Sequence, residues 1–192
     1  KVELISDLKE ALQNKGIIFT MLMFFLIQVC VMLLQPLITM YVGQLMGKVD
    51  DEAVQMAGII FSLAGISGIL AAPFWGKRGQ QYGYVRTFCY ITMGAGVVNL
   101  FQFFTTDVYQ FAVVQFVYGL FLAGAIPNIN ANLADVTDQS IRGKAFGLVT
   151  SAQMAGGFVG PLLGGALGHV LPTRLVIICA GVILIVMSVF TY

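Results

Sequence analysis

Six long windows without a charged side chain constrain this sequence more than any other feature. They cover residues 16–47, 53–76, 87–106, 108–134, 145–173 and 175–192, with His169 counted as neutral. An α-helix rises about 1.5 Å per residue, so about 20 apolar residues cross a bilayer core of about 30 Å. We therefore predict six transmembrane helices. Their approximate bounds are 17–42, 54–75, 88–105, 109–131, 145–168 and 175–192.

The composition supports the same class. Hydrophobic residues make up 58% of the chain and charged residues only 10%, whereas soluble domains carry about 25% charged residues. A transmembrane barrel would show apolar–polar alternation in short segments, which these windows lack. We predict an all-α membrane protein.

The distribution of lysine and arginine predicts how the chain is oriented. Residues 1–16, KVELISDLKEALQNKG, have mixed charge and an amphipathic pattern, which predicts a cytoplasmic linker on the membrane surface. One set of loops, with this linker, carries eight basic residues and the other set carries two. By the positive-inside rule both termini of this multi-pass protein are cytoplasmic. Because the first residue is Lys1 and not Met, we expect the chain to belong to a longer one.

The first three spans and the last three share the placement of several helix-breaking residues. The corresponding pairs are about 90 positions apart: Pro36 and Pro127, Pro73 and Pro161, Gly58 and Gly147, Gly76 and Gly165. We predict two three-helix repeats, 17–105 and 106–192. Since three is odd, the second copy is inverted in the membrane, as in many transporters. Pro36 and Pro127 also predict interruptions of the first and fourth spans, which point to a substrate site.

The fifth span carries a regular series of glycines. Gly156, Gly160, Gly164 and Gly168 recur every four residues and form one bare stripe. Small residues let helix backbones approach closely in lipid, where no hydrophobic drive holds helices together. Pro161 removes the donor to the carbonyl of Gly157 and predicts a fixed bend. We interpret the stripe as a helix-packing surface.

Two motifs resemble those of the major facilitator superfamily. The segment GLVTSAQMAGGFVGPLLGG, 147–165, is similar to the family's antiporter motif, and GKRGQQYGYVR, 76–86, resembles its signature cytoplasmic loop. The antiporter positions are Gly147, Gly156, Gly160, Pro161, Gly164 and Gly165, and the loop positions are Gly76, Lys77, Arg78, Gly83 and Arg86. The loop's acidic position is Gln80 here, which fits the form found in the C-terminal half and casts doubt on a charge relay.

Two further segments resemble helices of bacterial twelve-span drug exporters. Residues 27–45 look like their seventh helix and 118–134 like their tenth. The resemblance implies the C-terminal six-helix half of a drug:proton antiporter in the bacterial plasma membrane. Its implied partners are small-molecule substrates, protons, the bilayer and the N-terminal half or a second copy of this chain, with no nucleic acid and no cofactor. It also places spans one and four on a central cavity and spans two and five on the seam between halves.

Candidate substrate-binding residues lie on those two cavity spans. Amide side chains are costly in lipid unless they meet a partner or water, and Phe and Met adapt to varied apolar ligands. On span one the candidates are Phe24, Gln28, Met32 and Gln35, and on span four Phe121, Asn128 and Asn132. Interhelical hydrogen bonding is the alternative role for these amides, and it is also open to Asn99, Gln102 and Gln153.

The sequence places no Asp or Glu near mid-membrane. Proton coupling needs a titratable group, so a carboxylate for coupling would have to lie outside this chain, with Asp135 the nearest candidate within it. His169, the one histidine, lies at an outer loop, so no nucleophile–base pair, metal site or enzyme activity is expected. A carrier of a sugar or other polar metabolite, and a six-span homodimeric carrier or channel, remain alternatives.

Overall fold

A computed structural model describes residues 14–48 and 50–191, and all regular structure within those ranges is helical. The α-helices are α1 Lys15–Met46, α2 Asp51–Tyr82, α3 Tyr84–Phe101, α4 Val108–Leu122, α5 Ala125–Val136, α6 Arg142–Val170 and α7 Thr173–Thr191. A short 3₁₀ helix, Gln102–Phe104, extends α3, and α4 with α5 makes one span. Six segments are thus long and apolar enough to cross a membrane. The predictions of an all-α membrane protein and of six spans are confirmed.

Most helices are longer than the spans predicted for them. Asn14 caps α1, because its side chain accepts a hydrogen bond from the backbone N–H of Gly16 at 2.9 Å. Asp50 caps α2 in the same way through the N–H of Ala53, at 3.1 Å. Gly47 ends α1 with a φ of 69°, in the left-handed region that favours glycine. Charge limits the apolar part of a span, whereas caps and glycines decide where the helix itself begins and ends.

The linker predicted over residues 1–16 lies outside the described residues except for its last positions, 14–16. There Lys15 and Gly16 already belong to α1.

The spans pack mainly as three pairs: α1 with α6, α2 with α4, and α3 with α7. Each pair crosses at glycine. A Cβ added to Gly119 of α4 would lie 3.0 Å from the carbonyl oxygen of Ala64 on α2, and one added to Gly96 of α3 would lie 2.8 Å from that of Gly181 on α7. Such approaches supply the dispersion contacts that hold helices together in lipid.

The pairing joins spans one and five, four and two, and three and six. If spans one, two and three are exchanged with spans four, five and six, the pair of spans one and five becomes the pair of spans four and two. The pair of spans three and six stays the same. The contacts are therefore those that an inverted repeat would make, and the repeats 17–105 and 106–192 remain a prediction.

Of the two spans predicted to be interrupted, only span four is. Its helix α4 ends at Leu122 and α5 begins at Ala125, with Pro127 in the first turn of α5. In span one, Pro36 lies inside the continuous helix α1. A proline removes one backbone hydrogen bond in either place, but span four also has Gly124 at the break, where a Cβ would lie 2.5 Å from the Trp75 side chain of α2. Span one has Leu33 at the corresponding position before its proline.

Candidate functional site

A cavity of about 480 Å³ lies between α1, α2 and α4. It is at the junction of two buried clusters, one containing Ile27 and Tyr118 and the other containing Leu34 and Ile38, all four of which line it. Most of the other lining residues are also apolar, among them Val31, Phe61, Leu122 and Ile126. This volume is within the range of small-molecule sites, which are mostly apolar with a few polar groups.

Three of the four candidates on span one lie in the wall of this cavity. Gln28, Met32 and Gln35 line it together, as their shared helical face predicts. Phe24 does not line the cavity. Its side chain is 2% exposed and belongs to the buried cluster that contains Phe88, nearer the start of α1.

The candidates on span four do not line the cavity. Phe121 lies beside Trp75, with ring centroids 5.8 Å apart. Asn128 donates hydrogen bonds to the carbonyl oxygens of Gly124 at 2.8 Å and of Trp75 at 3.3 Å, so it ties α5 to α2. Asn132 lies beside the loop between α2 and α3, in a groove with Asp135. These three residues were predicted to share one helical face that lines the cavity with span one. Because the helix breaks between Phe121 and Asn128, the three do not share one face.

Two polar residues of the cavity were not among the predicted site residues. Gln115 and Tyr118, both on α4, line it and are 5% exposed. The Tyr118 hydroxyl is buried and meets no hydrogen-bond partner among the described residues. Gln115 carried the same signal as Gln28, an amide inside an uncharged window, and could have been found by it.

Each of two cavity glutamines is paired with another glutamine behind it. The Nε2 of Gln102 donates to the Oε1 of Gln115 at 2.8 Å, in a buried position. The Nε2 of Gln153 donates to the Oε1 of Gln28 at 3.3 Å. The interhelical role that was left open for Gln102 and Gln153 is therefore the observed one. These contacts join α4 to the end of α3 and α1 to α6.

The glycine stripe of α6 packs against α1 of the same bundle. A Cβ on Gly156 would lie 2.6 Å from the carbonyl oxygen of Phe25, and one on Gly160 would lie 3.0 Å from that of Val29. A Cβ on Gly164 would overlap the carbonyl oxygen of Leu33. These three glycines therefore pack against α1 within the same bundle. A seam between span five and another half stays a prediction, and it would have to use a different face of α6.

The remaining motif residues of α6 lie away from this contact. Gly147, Pro161 and Gly165 are exposed, and α6 continues through Pro161 to Val170.

The predicted signature loop, 76–86, is mostly helical: it covers the last turns of α2, Gly83 and the first turn of α3. Lys77, Arg78 and Arg86 are exposed, and the Arg78 guanidinium lies over the rings of Phe74 and Tyr82, at 5.2 and 5.3 Å from their centroids. Gly83 ends α2 with a φ of 92°. Gly76 has no neighbour within 4 Å of the position a Cβ would take.

Gly79, between the two predicted loop glycines, makes the closest contact in this region. A Cβ there would overlap the Oδ1 of Asn128 and lie 2.8 Å from the Tyr84 ring. The sequence motif did not single out this position, because only the partner helix shows that a side chain there would collide with α5.

The cavity wall carries no charged side chain. Asp135, the nearest predicted carboxylate, is exposed beside Arg86 and Asn132, in a groove that Gly79 and Gly83 also line. Within residues 14–48 and 50–191 no group of three His, Cys, Asp or Glu side chains could hold a metal ion. The site can therefore bind through apolar contact and neutral hydrogen bonds.

Comparison with known proteins identifies the family. The family model described as Major Facilitator Superfamily matches residues 17–192. "Multidrug resistance protein MdtG" of Yersinia enterocolitica is 28% identical over 180 residues, which are 93% of this chain and 43% of that protein. The protein of the same name in Serratia proteamaculans is 33% identical over 158 residues, 79% of this chain and 37% of that one.

A third relative is the MFS-type transporter YuxJ of Bacillus subtilis, 32% identical over 145 residues, 76% of this chain and 36% of YuxJ. The chain thus spans less than half the length of these relatives. The members of this family are membrane transporters and not enzymes. On the extent of the family match and the six membrane-length helices, this chain belongs to the major facilitator superfamily.

Proposed function

We propose that this chain forms one half of a secondary active transporter that exports lipophilic compounds, cationic ones included. The observation that carries the proposal is the cavity of about 480 Å³, with an apolar wall and a few amides between α1, α2 and α4. An apolar wall of this kind favours lipophilic ligands over sugars, whose many hydroxyls each need a hydrogen-bond partner. The relatives named multidrug resistance protein support the same substrate class.

The proposed mechanism is alternating access. This six-helix bundle and a second one, the N-terminal half or another copy of the chain, rock about a ligand bound near mid-membrane. Gln28, Met32 and Gln35, together with Gln115, supply this bundle's wall of the site. Because α1 and α6 are in backbone contact at their glycines, we infer that they move together as one body and do not slide past each other.

We further propose that export is coupled to proton influx. Coupling requires a carboxyl group whose protonation changes with burial, and the wall described above has no carboxylate. The coupling residue would then belong to the partner bundle. This chain would supply the apolar wall and the glutamines.

The proposed location is the bacterial plasma membrane with both termini in the cytoplasm. The exposed cations Lys77 and Arg78 near the end of α2 and Arg86 at the start of α3 support this orientation by the positive-inside rule.

The test is dye transport by the protein expressed from its complete gene and reconstituted into liposomes. We expect the lipophilic cation Hoechst 33342 to be moved against its gradient when a proton gradient is applied, and the movement to stop when an ionophore collapses that gradient. Dye transport at the same rate with and without the proton gradient would contradict proton coupling. Failure to move the dye, with uptake of a labelled sugar in its place, would contradict lipophilic export and favour the polar-metabolite alternative.

A further inference from the structure

The two glutamine pairs at the cavity share one polarity. In each pair the glutamine behind the wall donates its N–H to the side-chain oxygen of the glutamine in the wall: Gln102 to Gln115 and Gln153 to Gln28. A primary amide has two N–H donors and an oxygen with two lone pairs. The outer contact uses part of the oxygen's capacity, so the wall glutamine keeps both donors and at most one lone pair.

The pair on α4 is the more firmly held. Gln102 is 1% exposed and Gln115 is 5% exposed, and their hydrogen bond is 2.8 Å long. Gln102 is itself anchored through its backbone, because its carbonyl oxygen accepts the Thr105 hydroxyl at 2.7 Å. Rotating the Gln115 amide would break this buried hydrogen bond, so Gln102 fixes the orientation of the Gln115 amide.

Gln35 differs from these two glutamines. It lines the cavity but is exposed and has no hydrogen bond within the described residues, so its amide can turn either face to an occupant.

Resting on the function proposed above, we infer that this wall selects lipophilic compounds that carry a hydrogen-bond acceptor, such as a carbonyl or ether oxygen. Gln115 and Gln28 are the specificity-determining residues, and their N–H groups bind the acceptor. Gln102 and Gln153 are positioning residues that hold the donors toward the cavity. An N–H face repels a cationic head, so this wall binds the apolar body of a cationic compound and leaves its charge to the partner bundle.

The experiment compares three probes built on one ring system: N-methylacridone, which has a carbonyl, N-methylacridan, in which a methylene replaces it, and the cation N-methylacridinium. Dissociation constants are measured by equilibrium dialysis of the purified protein, expressed from its complete gene, with protein-free micelles as blank. One hydrogen bond corresponds to roughly a fivefold to tenfold difference in affinity. We expect the acridone to bind more tightly than the acridan by about that factor.

Variants separate recognition from positioning. Gln115→Met removes one of the two donors and should lower the acridone-to-acridan affinity ratio. Gln102→Met, which does not touch the cavity, should lower the same ratio by releasing the Gln115 amide. Gln110→Met is the matched control: Gln110 is an exposed glutamine on the same helix α4 and does not line the cavity, so the ratio should stay unchanged.

A reversal variant keeps the inference falsifiable even where Gln115→Met folds poorly. Gln115→Glu replaces the donors by acceptors and should raise the affinity for N-methylacridinium relative to the acridone by about fivefold or more. Equal binding of acridone and acridan by the unaltered protein would overturn the inference and leave lipophilic export standing. The inference would also be overturned if Gln102→Met left the acridone-to-acridan ratio unchanged and Gln115→Glu left the affinity for N-methylacridinium relative to the acridone unchanged. If the unaltered protein did not transport Hoechst 33342, that result would instead contradict the proposed function.

Discussion

The indole Nε1 of Trp75 donates a 2.7 Å hydrogen bond to the carbonyl oxygen of Leu120, one turn before the break in span four. In a continuous helix the N–H of Gly124 would fill that role, but here it bonds to the carbonyl oxygen of Phe121 at 3.2 Å. A side chain of α2 thus satisfies a backbone group that the break leaves free, as lipid requires.

Trp75→Phe should therefore destabilise the bundle. It leaves the Leu120 carbonyl without a donor, which costs about 1–3 kcal/mol in the free energy of unfolding. The measurement is denaturant-induced unfolding followed by circular dichroism, since Trp75 is the one tryptophan of the chain and its fluorescence is lost. Tyr109→Phe, which removes a hydroxyl from an exposed ring, is the control. Equal stability of the two variants would show that the indole hydrogen bond does not support the break.

Adjacent glycines on α6 should respond in opposite directions to the same substitution. In Gly164→Ala the new methyl group meets the carbonyl of Leu33 on α1, so overpacking should lower the free energy of unfolding by about 1–3 kcal/mol. In Gly165→Ala the methyl group enters open space, and the alanine should raise helix stability by about 0.5–1 kcal/mol. Thermal unfolding in detergent distinguishes them. Two variants with the same midpoint would contradict the α1–α6 contact.

The signature loop offers a second matched pair. Gly79→Ala places a methyl group against Asn128 and Tyr84, so α2 and α5 should separate and the yield of folded protein should fall several-fold. In Gly76→Ala the new methyl group has no neighbour within 4 Å, so the yield of folded protein should equal that of the unaltered protein. Size-exclusion chromatography of the two variants makes the comparison. A loss of folded protein confined to Gly76→Ala would reverse the assignment.

Two amides that the sequence treated alike should separate in function. Gln28→Ala removes a cavity donor and should raise the KM for Hoechst 33342 about fivefold. Asn128→Ala removes the donor to the Trp75 and Gly124 carbonyls, so it should lower stability by about 1–2 kcal/mol and leave the KM of the folded fraction unchanged. If Asn128→Ala raised the KM for Hoechst 33342 and left the free energy of unfolding unchanged, Asn128 would belong to the substrate site after all.

The span-one part of the site was predictable because it depends on one helix. Gln28, Met32 and Gln35 share a face by helical periodicity alone, and the structure keeps them together in the cavity wall. The span-four part was not predictable in the same way. Gly124 and Pro127 end the helical phase between Phe121 and Asn128, and a periodicity argument does not carry across such a break.

By itself the sequence determined the class of the protein and the number of its spans, because the cost of burying charge in lipid acts on each window independently of the others. It also predicted that the glycine stripe is a packing surface, since missing side chains show directly in the residues. Only the tertiary structure decided which helix fills that stripe, that Gly79 must be glycine, and which glutamines face the cavity with their donors. Those properties are distances between atoms of different helices, and helical spacing within one span contains no information about them.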